Sequence, residues 1–254
     1  MDEIAYGWWL PPNVSTIGGD IDHIINVVHL FMLVLFVGWG AFLVYCLIRF
    51  RSRPGHEASY ESNRSKFPKV VEAAVVLFEV FLLVGLSFPV WSTYRADFPE
   101  RGESLEIRVV AQQFVWNIHY AGADGQFGRA RIDQISDSNP IGLDPEDPAA
   151  HDDIVTVNQL HFPVGRKVMV YLSSKDVIHS FFIPVLRVKQ DAVPGVVTPV
   201  WFEATRTGNF EIACAQLCGV GHTLMRGFVT IDTPETFQEW IAAQEPFQKG
   251  GGES

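Results

Sequence analysis

Only three cysteines, Cys46, Cys214 and Cys218, occur among the 254 residues. An iron–sulfur cluster held wholly by cysteine needs four, so this chain does not hold one by itself. No Cys-x-x-Cys-His run is present, which excludes a covalently attached c-type haem. Lys and Arg are missing from residues 1–22, a stretch with four acidic residues, Trp8, Trp9, Pro11 and Pro12. A cleavable signal peptide opens on a basic segment and a short apolar core, and this stretch has neither. It is expected to persist as an N-terminal tail, its paired tryptophans resting at a membrane interface or against a partner. With a formal net charge of −10, no nucleic-acid partner is expected.

Hydrophobic residues are abundant, at 48% of the chain, and Ile24 to Ile48 is a run of 25 residues without a charge. As a helix it is about 37 Å long, enough to cross a bilayer. A second apolar run extends from about Val70 to about Trp91, with Pro89 near its end, where a kink or a stop is tolerated. From Arg49 to Lys69 there are six basic residues against Glu57 and Glu61, whereas 13 basic and 21 acidic residues follow Trp91. Basic residues in short loops stay on the cytoplasmic side. The expected topology is a two-helix hairpin over 23–92: helix 1 about 23–49, an inner loop 50–69 and helix 2 about 70–91. The tail 1–22 and everything after the hairpin then lie outside.

Two carboxylates sit in helix 2. Glu72 is in the first turn, where the helix dipole favours a negative charge. Glu79 lies roughly 10 Å deeper on the same face. An ionisable group at that depth costs at least about 2.5 kcal/mol unless neutral or paired, so Glu79 should face a protein partner or water. A polar contact with a partner and a role in moving protons are both open. Cys46 reads as a small buried apolar residue.

After a linker, 93–104, short runs rich in Val, Ile, Phe and Trp suggest strands at Leu105–Ala111, Gln113–Tyr120, Asp153–Val157, Lys167–Ser173, Ser180–Ile183, Thr198–Ala204, Gly208–Ala213 and Gly227–Ile231. Many short strands without intervening helices indicate an all-β sandwich or Greek-key barrel over 105–233. It is interrupted by a Gly-, Asp- and Pro-rich insertion, 121–153, with eight acidic residues and two arginines. Such a segment is often a solvated loop, but acidic surface would also steer a basic partner. A short capped helix beginning at Thr233-Pro234 and a flexible end complete the segment 234–254.

The densest chemistry lies in Cys214-Ala215-Gln216-Leu217-Cys218-Gly219-Val220-Gly221-His222-Thr223-Leu224-Met225. Thiolate, imidazole and thioether together form the ligand set that selects copper. Cys218, His222 and Met225 alone would serve one copper; Cys214 adds the second thiolate that two metals sharing bridging sulfurs need. A Cys214–Cys218 disulfide and a structural zinc site are the competing readings. A further His is wanted, and His179, in Asp176-Val177-Ile178-His179-Ser180-Phe181, is the candidate.

The hairpin, the aromatic run Gln113-Phe114-Val115-Trp116, the Asp-Val-Ile-His-Ser-Phe run, Val188-Lys189-Gln190-Asp191-Ala192-Val193-Pro194-Gly195 and the copper loop together resemble subunit II of the haem–copper cytochrome c oxidases. That resemblance implies a cupredoxin fold carrying a dinuclear CuA centre with ligands His179, Cys214, Cys218, His222, Met225 and the backbone carbonyl of Gln216. It also implies a c-type cytochrome as electron donor, subunits I and III as partners, and a bacterial inner-membrane location with the copper domain on the periplasmic side. Oxygen reduction and proton pumping would take place in subunit I. The family usually has Glu at the position of Gln216, and an amide is a weaker ligand for the Mg²⁺ shared with subunit I, so that site is expected to be altered or lost. Phe114 stands where many relatives have the Trp that receives electrons, leaving Phe114 and Trp116 as candidates, both expected near the surface. Glu72 matches the glutamate at the mouth of a proton channel. Val196 replaces the Arg that usually follows Gly195, at the junction with subunit I. The competing identity is a copper-free structural β-sandwich subunit of a related quinol oxidase.

Overall fold

A computed structural model describes residues 9–55, 57, 60, 64–96, 98–100 and 102–247. Trp8 and the end of the chain from Gln248, about which the sequence suggested a membrane contact and a flexible tail, lie outside these residues. The chain divides into two compact units, Asp20–Asp97 and Met1–Gly19 with Phe98–Ser254.

The first unit is helical. Helix α1 spans Gly18–Arg49. Helix α2, Phe67–Val80, continues through a π-helical segment, Phe81–Ser87, into α3, Phe88–Ala96. The stretches Gly18–Arg49 and Phe67–Ala96, of 32 and 30 residues with mean hydropathy 2.4 and 2.3, are long and apolar enough to cross a membrane. Phe31 and Phe78 pack across the two helices with ring centroids 4.7 Å apart. Both helices outrun the apolar stretches that mark them in sequence. Asp20 in the first turn of α1 suits the dipole, and Pro68 opens α2 where its missing N–H costs nothing. Pro89 neither ends nor breaks the second helix. It has no N–H to give to the carbonyl four residues back, and the wider i→i+5 turns just before it absorb the mismatch.

The second unit is a β-sandwich. One sheet has the order β3 (Ile154–Val157), β2 (Val115–Tyr120), β1 (Leu105–Gln112), β5 (Lys167–Ser174), β8 (Thr198–Glu203). The other runs β4 (Gln159–Pro163), β10 (Arg226–Asp232), β9 (Gly208–Cys214), β6 (His179–Ile183), β7 (Val188–Ala192). Pairing is antiparallel except for β1 with β5 and β10 with β4. Alternate residues of both sheets, among them Ile107, Val109, Phe181, Ile183, Phe202 and Phe210, enter one core. Strands β4 and β7 were not anticipated: one is five residues ending in proline, and the other carries Lys189, Gln190 and Asp191 at its centre.

Two segments close the sandwich. Residues 13–16 are stitched to it: Val14 is fully buried, its N–H donates to the Val185 carbonyl (3.0 Å), the Thr205 N–H donates to the Val14 carbonyl (2.8 Å), and Ser15 bridges Ala204. Part of the presumed free tail is therefore β-domain structure. Helix α4, Pro234–Ala242, begins with a reciprocal cap between Thr233 and Thr236 and lays Trp240 flat on His161 at 3.9 Å.

The insertion does not present its eight acids to solvent as a group. Asp153 is buried against His119 (2.7 Å) and accepts from the Gly128 N–H; Asp144 is buried against Arg129 (2.7 Å); Asp133 pairs with Arg131. Desolvation is outweighed at Asp144 by the Arg129 hydrogen bond and the Glu146 N–H, which hold that carboxyl below the usual range.

Candidate metal centre

Strands β9 and β10 are antiparallel neighbours, and the loop joining them carries the thiols. Cys214 ends β9 and faces Phe181 of β6 in the register, which puts His179, two residues earlier on β6, beside it. The Cys214 N–H donates to the Met225 carbonyl (3.2 Å) and the Ala215 N–H to the Ser180 carbonyl (2.9 Å), so both ends of the loop and the distant histidine are held by main chain. Two glycines let the loop fold tightly. Gly219 has φ +136°, which side chains avoid, and a Cβ on Gly221 would lie 2.5 Å from Cδ2 of Phe114.

The resulting donor atoms converge. The Cys214 and Cys218 sulfurs are 3.8 Å apart, where a disulfide needs about 2.05 Å. His179 Nδ1 is 3.9 Å from the Cys214 sulfur, and His222 Nδ1 is 3.6 Å from the Cys218 sulfur. Met225 Sδ is 3.8 Å from the Cys218 sulfur, and the Gln216 carbonyl oxygen is 3.2 Å from the Cys214 sulfur. His179, Cys214 and Cys218 place their ligand atoms within 4.8 Å of one another. All six residues singled out from sequence meet in one place. His179, Cys218 and Met225 are at most 3% exposed, whereas His222 is half-buried and Gln216 exposed, so the pocket is buried on the sheet side and opens toward the loop. Burial first, and then the Cys214 thiol beside it, push the Cys218 thiol up to about 11.

A second layer orients the donors. Asp176 Oδ1 accepts from His179 Nε2 at 2.9 Å, which turns Nδ1 toward the thiols. Asp176 also accepts from the N–H groups of Gln113 and Val177, both at 2.7 Å. Desolvation pushes this carboxyl up, but those three bonds together outweigh it and hold it below the usual range. Gln113 Nε2 in turn donates to the Cys218 carbonyl at 2.6 Å. Neither Asp176 nor Gln113 was assigned a role from sequence. The signal was a carboxylate three residues before the candidate histidine.

The two aromatic candidates separate. Trp116 is fully buried, packed edge-on to His179 (6.2 Å) and Phe181 (5.5 Å). The expectation that both rings lie near the surface is thereby corrected: β2 is covered on both sides, and Trp116 is on the core side. Phe114 is half-buried against Gly219 and Gly221. The rim around it is apolar and open, with Leu217, Val220 and Leu224 exposed. Glu72 and Glu79 lie on α2 with exposed side chains, in the other unit from the centre.

The family model for the periplasmic domain of cytochrome c oxidase subunit II matches residues 105–231. An alternative cytochrome c oxidase subunit 2 from Bradyrhizobium diazoefficiens is 34% identical over 241 residues, covering 94% of this chain and 85% of the relative. A cytochrome c oxidase subunit 2 from Synechocystis is 29% identical over 257 residues, covering 93% and 76%. Among solved structures, the periplasmic domain of subunit II of cytochrome oxidase from Bradyrhizobium japonicum is 28% identical and covers 57% of this chain and 94% of that one, with a TM-score of 0.41. With two membrane-length helices, a β-sandwich and a buried thiol–imidazole cluster inside the matched region, the chain belongs to the cytochrome c oxidase subunit II family.

Proposed function

We propose that the cluster is a dinuclear copper centre of the CuA type, with His179, Cys214, Gln216 (through its carbonyl), Cys218, His222 and Met225 as ligands. The observation that carries this is the way the donors divide. Each thiol has its own imidazole, His179 beside Cys214 and His222 beside Cys218, with the Gln216 carbonyl on the first side and the Met225 thioether on the second. A single zinc ion would draw two thiols and two imidazoles around one point and would leave the thioether unused. Bound there, the copper pair would accept single electrons from a c-type cytochrome and release them to haem in subunit I, where O₂ is reduced to water with proton pumping.

The chain's own residues prepare the site. Asp176 fixes the His179 tautomer, Gln113 anchors the Cys218 main chain, and Trp116 and Phe181 wall the pocket against water. A rigid sandwich limits how far any ligand moves, which keeps reorganisation small. Electrons arrive across the exposed rim of Leu217, Val220 and Leu224 around Phe114, since Trp116 reaches no surface. Gln216 supplies a neutral amide where a carboxylate would favour Mg²⁺, so Mg²⁺ binding at the subunit I junction is weak or lost. Glu72 serves at the cytoplasmic mouth of a proton path. The hairpin sits in the bacterial inner membrane, beside subunits I and III, with the copper domain in the periplasm. Steering of a basic cytochrome by the insertion is modest, because Asp133, Asp144 and Asp153 are already engaged.

Copper per complex and the electron paramagnetic resonance spectrum test the reading. Two coppers beyond those of the catalytic subunit, with a seven-line hyperfine pattern, are expected, and Cys218→Ser should remove the mixed-valence near-infrared band. An unchanged band in that variant, or Cys214 and Cys218 found oxidised to each other, would refute the assignment and leave a structural subunit.

A further inference from the structure

The helix Phe67–Ala96 carries Glu79 far from both of its ends, roughly 18 Å from Phe67 and 26 Å from Ala96 at the α-helical rise. Between Lys69 and Arg95 the only charged residues are Glu72 and Glu79. The Glu79 side chain is exposed, and among the described residues it meets no hydrogen-bond or ion-pair partner. Across the seam with α1 the nearby contact is aromatic, Phe31 on Phe78. Hydrocarbon supplies no partner to a carboxyl group, and such groups within membrane spans face protein or a water-filled cavity.

The helix geometry extends this polar point into a line. Glu72 and Glu79 are seven residues apart, about two α-helical turns, and so share a face. The next eight residues, to Ser87, pass through the π segment Phe81–Ser87. Each π turn takes up an extra residue, so these eight again close about two turns. A regular α-helix would swing Ser87 off the face; the π segment returns it. Glu72, Glu79 and Ser87 thus lie along one side of an otherwise apolar span, at the edge of the stripe formed by Val75 and Leu82.

We infer that this line is the surface on which the membrane-embedded catalytic subunit of the oxidase packs, with Glu79 hydrogen-bonded to a donor side chain of that subunit at matching depth. Subunit II is one chain of a larger enzyme, so a protein partner for this face is available. The inference rests on the family and on the membrane helices, and stands apart from the copper reading.

The test uses the intact oxidase complex, with Glu79→Leu and Glu79→Gln compared for retention of this subunit under increasing detergent and for turnover. Glu79→Leu should lower retention about 3- to 30-fold, the span of measured polar contacts between membrane helices, or leave the chain unassembled. Glu79→Gln, which keeps size and hydrogen bonding, should retain both association and turnover. Parental retention with Glu79→Leu would overturn the contact. So would loss of association with both variants alike, since a hydrogen-bonding side chain of the same size should suffice. Intact association with lost turnover in Glu79→Gln would overturn it in favour of a proton carrier.

Discussion

Asp176 offers the sharpest probe of the centre, because a single carboxylate holds two layers of it. Asp176→Ala removes the acceptor for His179 Nε2 (2.9 Å), for the Gln113 N–H and for the Val177 N–H (both 2.7 Å). Loss of a partner behind a metal ligand typically costs about 10- to 100-fold in metal affinity, or about 1.4–2.8 kcal/mol. This site should fall in the upper part of that range. His179 is fully buried while Asp176 is exposed, so water restores part of the acceptor, but a displaced Gln113 also releases the Cys218 carbonyl that it holds at 2.6 Å. Asp176→Asn keeps an oxygen acceptor without the charge and should cost about tenfold. The assay is copper retained by the purified oxidase against graded chelator, read by elemental analysis and by the near-infrared band, with thermal unfolding in parallel. If the Ala variant keeps copper within about twofold of the parent, or Asn falls as far as Ala, the positioning role is wrong.

Gly221→Ala should destabilise the copper loop by about 1–3 kcal/mol through overpacking, since the new Cβ meets Phe114 at 2.5 Å. Phe114→Ala in the same chain should recover most of the loss, which a double-mutant unfolding cycle measures. Asp153→Ala leaves two buried donors, on His119 and the Gly128 N–H, without an acceptor, so a cost of about 1–3 kcal/mol for each and fast amide exchange across the insertion are expected. Asp144, held low by Arg129, stabilises the insertion above the ordinary carboxylate pKa of about 4. That contribution is lost as pH falls through its depressed value, so protection of the Leu143 and Asp144 amides, corrected for the intrinsic pH dependence of exchange, should fall only in acid and stay level between pH 6 and 8 as rough bounds. Thr233→Ala should cost about 1 kcal/mol by removing the α4 cap, seen as a lowered unfolding midpoint.

The six residues proposed to hold copper stand out in the sequence because five of them fall in twelve consecutive positions whose side-chain chemistry is unusual in combination. Which imidazole lies beside which thiol was not readable, because it depends on how the loop folds back over Phe114. The membrane helices were visible in hydropathy, yet their ends and the π segment were not. Apolar composition is the same in α and π turns, and it reports only the part of a helix that lies in hydrocarbon. Trp116 was placed at the surface because alternation names two faces of a strand without saying which is covered. In β2 both are covered, by the core on one side and by the insertion on the other.

Local chemistry therefore determined the cluster of thiols, imidazole and thioether in one loop, the two spans and the β-rich domain, since spacing, hydropathy and turn residues act within a few residues of one another. Tertiary structure decided what distance in the chain conceals. Pairing of β6 with β9 brings His179 to Cys214, the Asp176–Gln113 link ties the β1–β2 turn to the β5–β6 turn, and His119, Arg129 and Arg131 engage three of the insertion's eight acids. Most of those contacts join residues tens of positions apart, and only burial of a shared core gives the free energy to hold them.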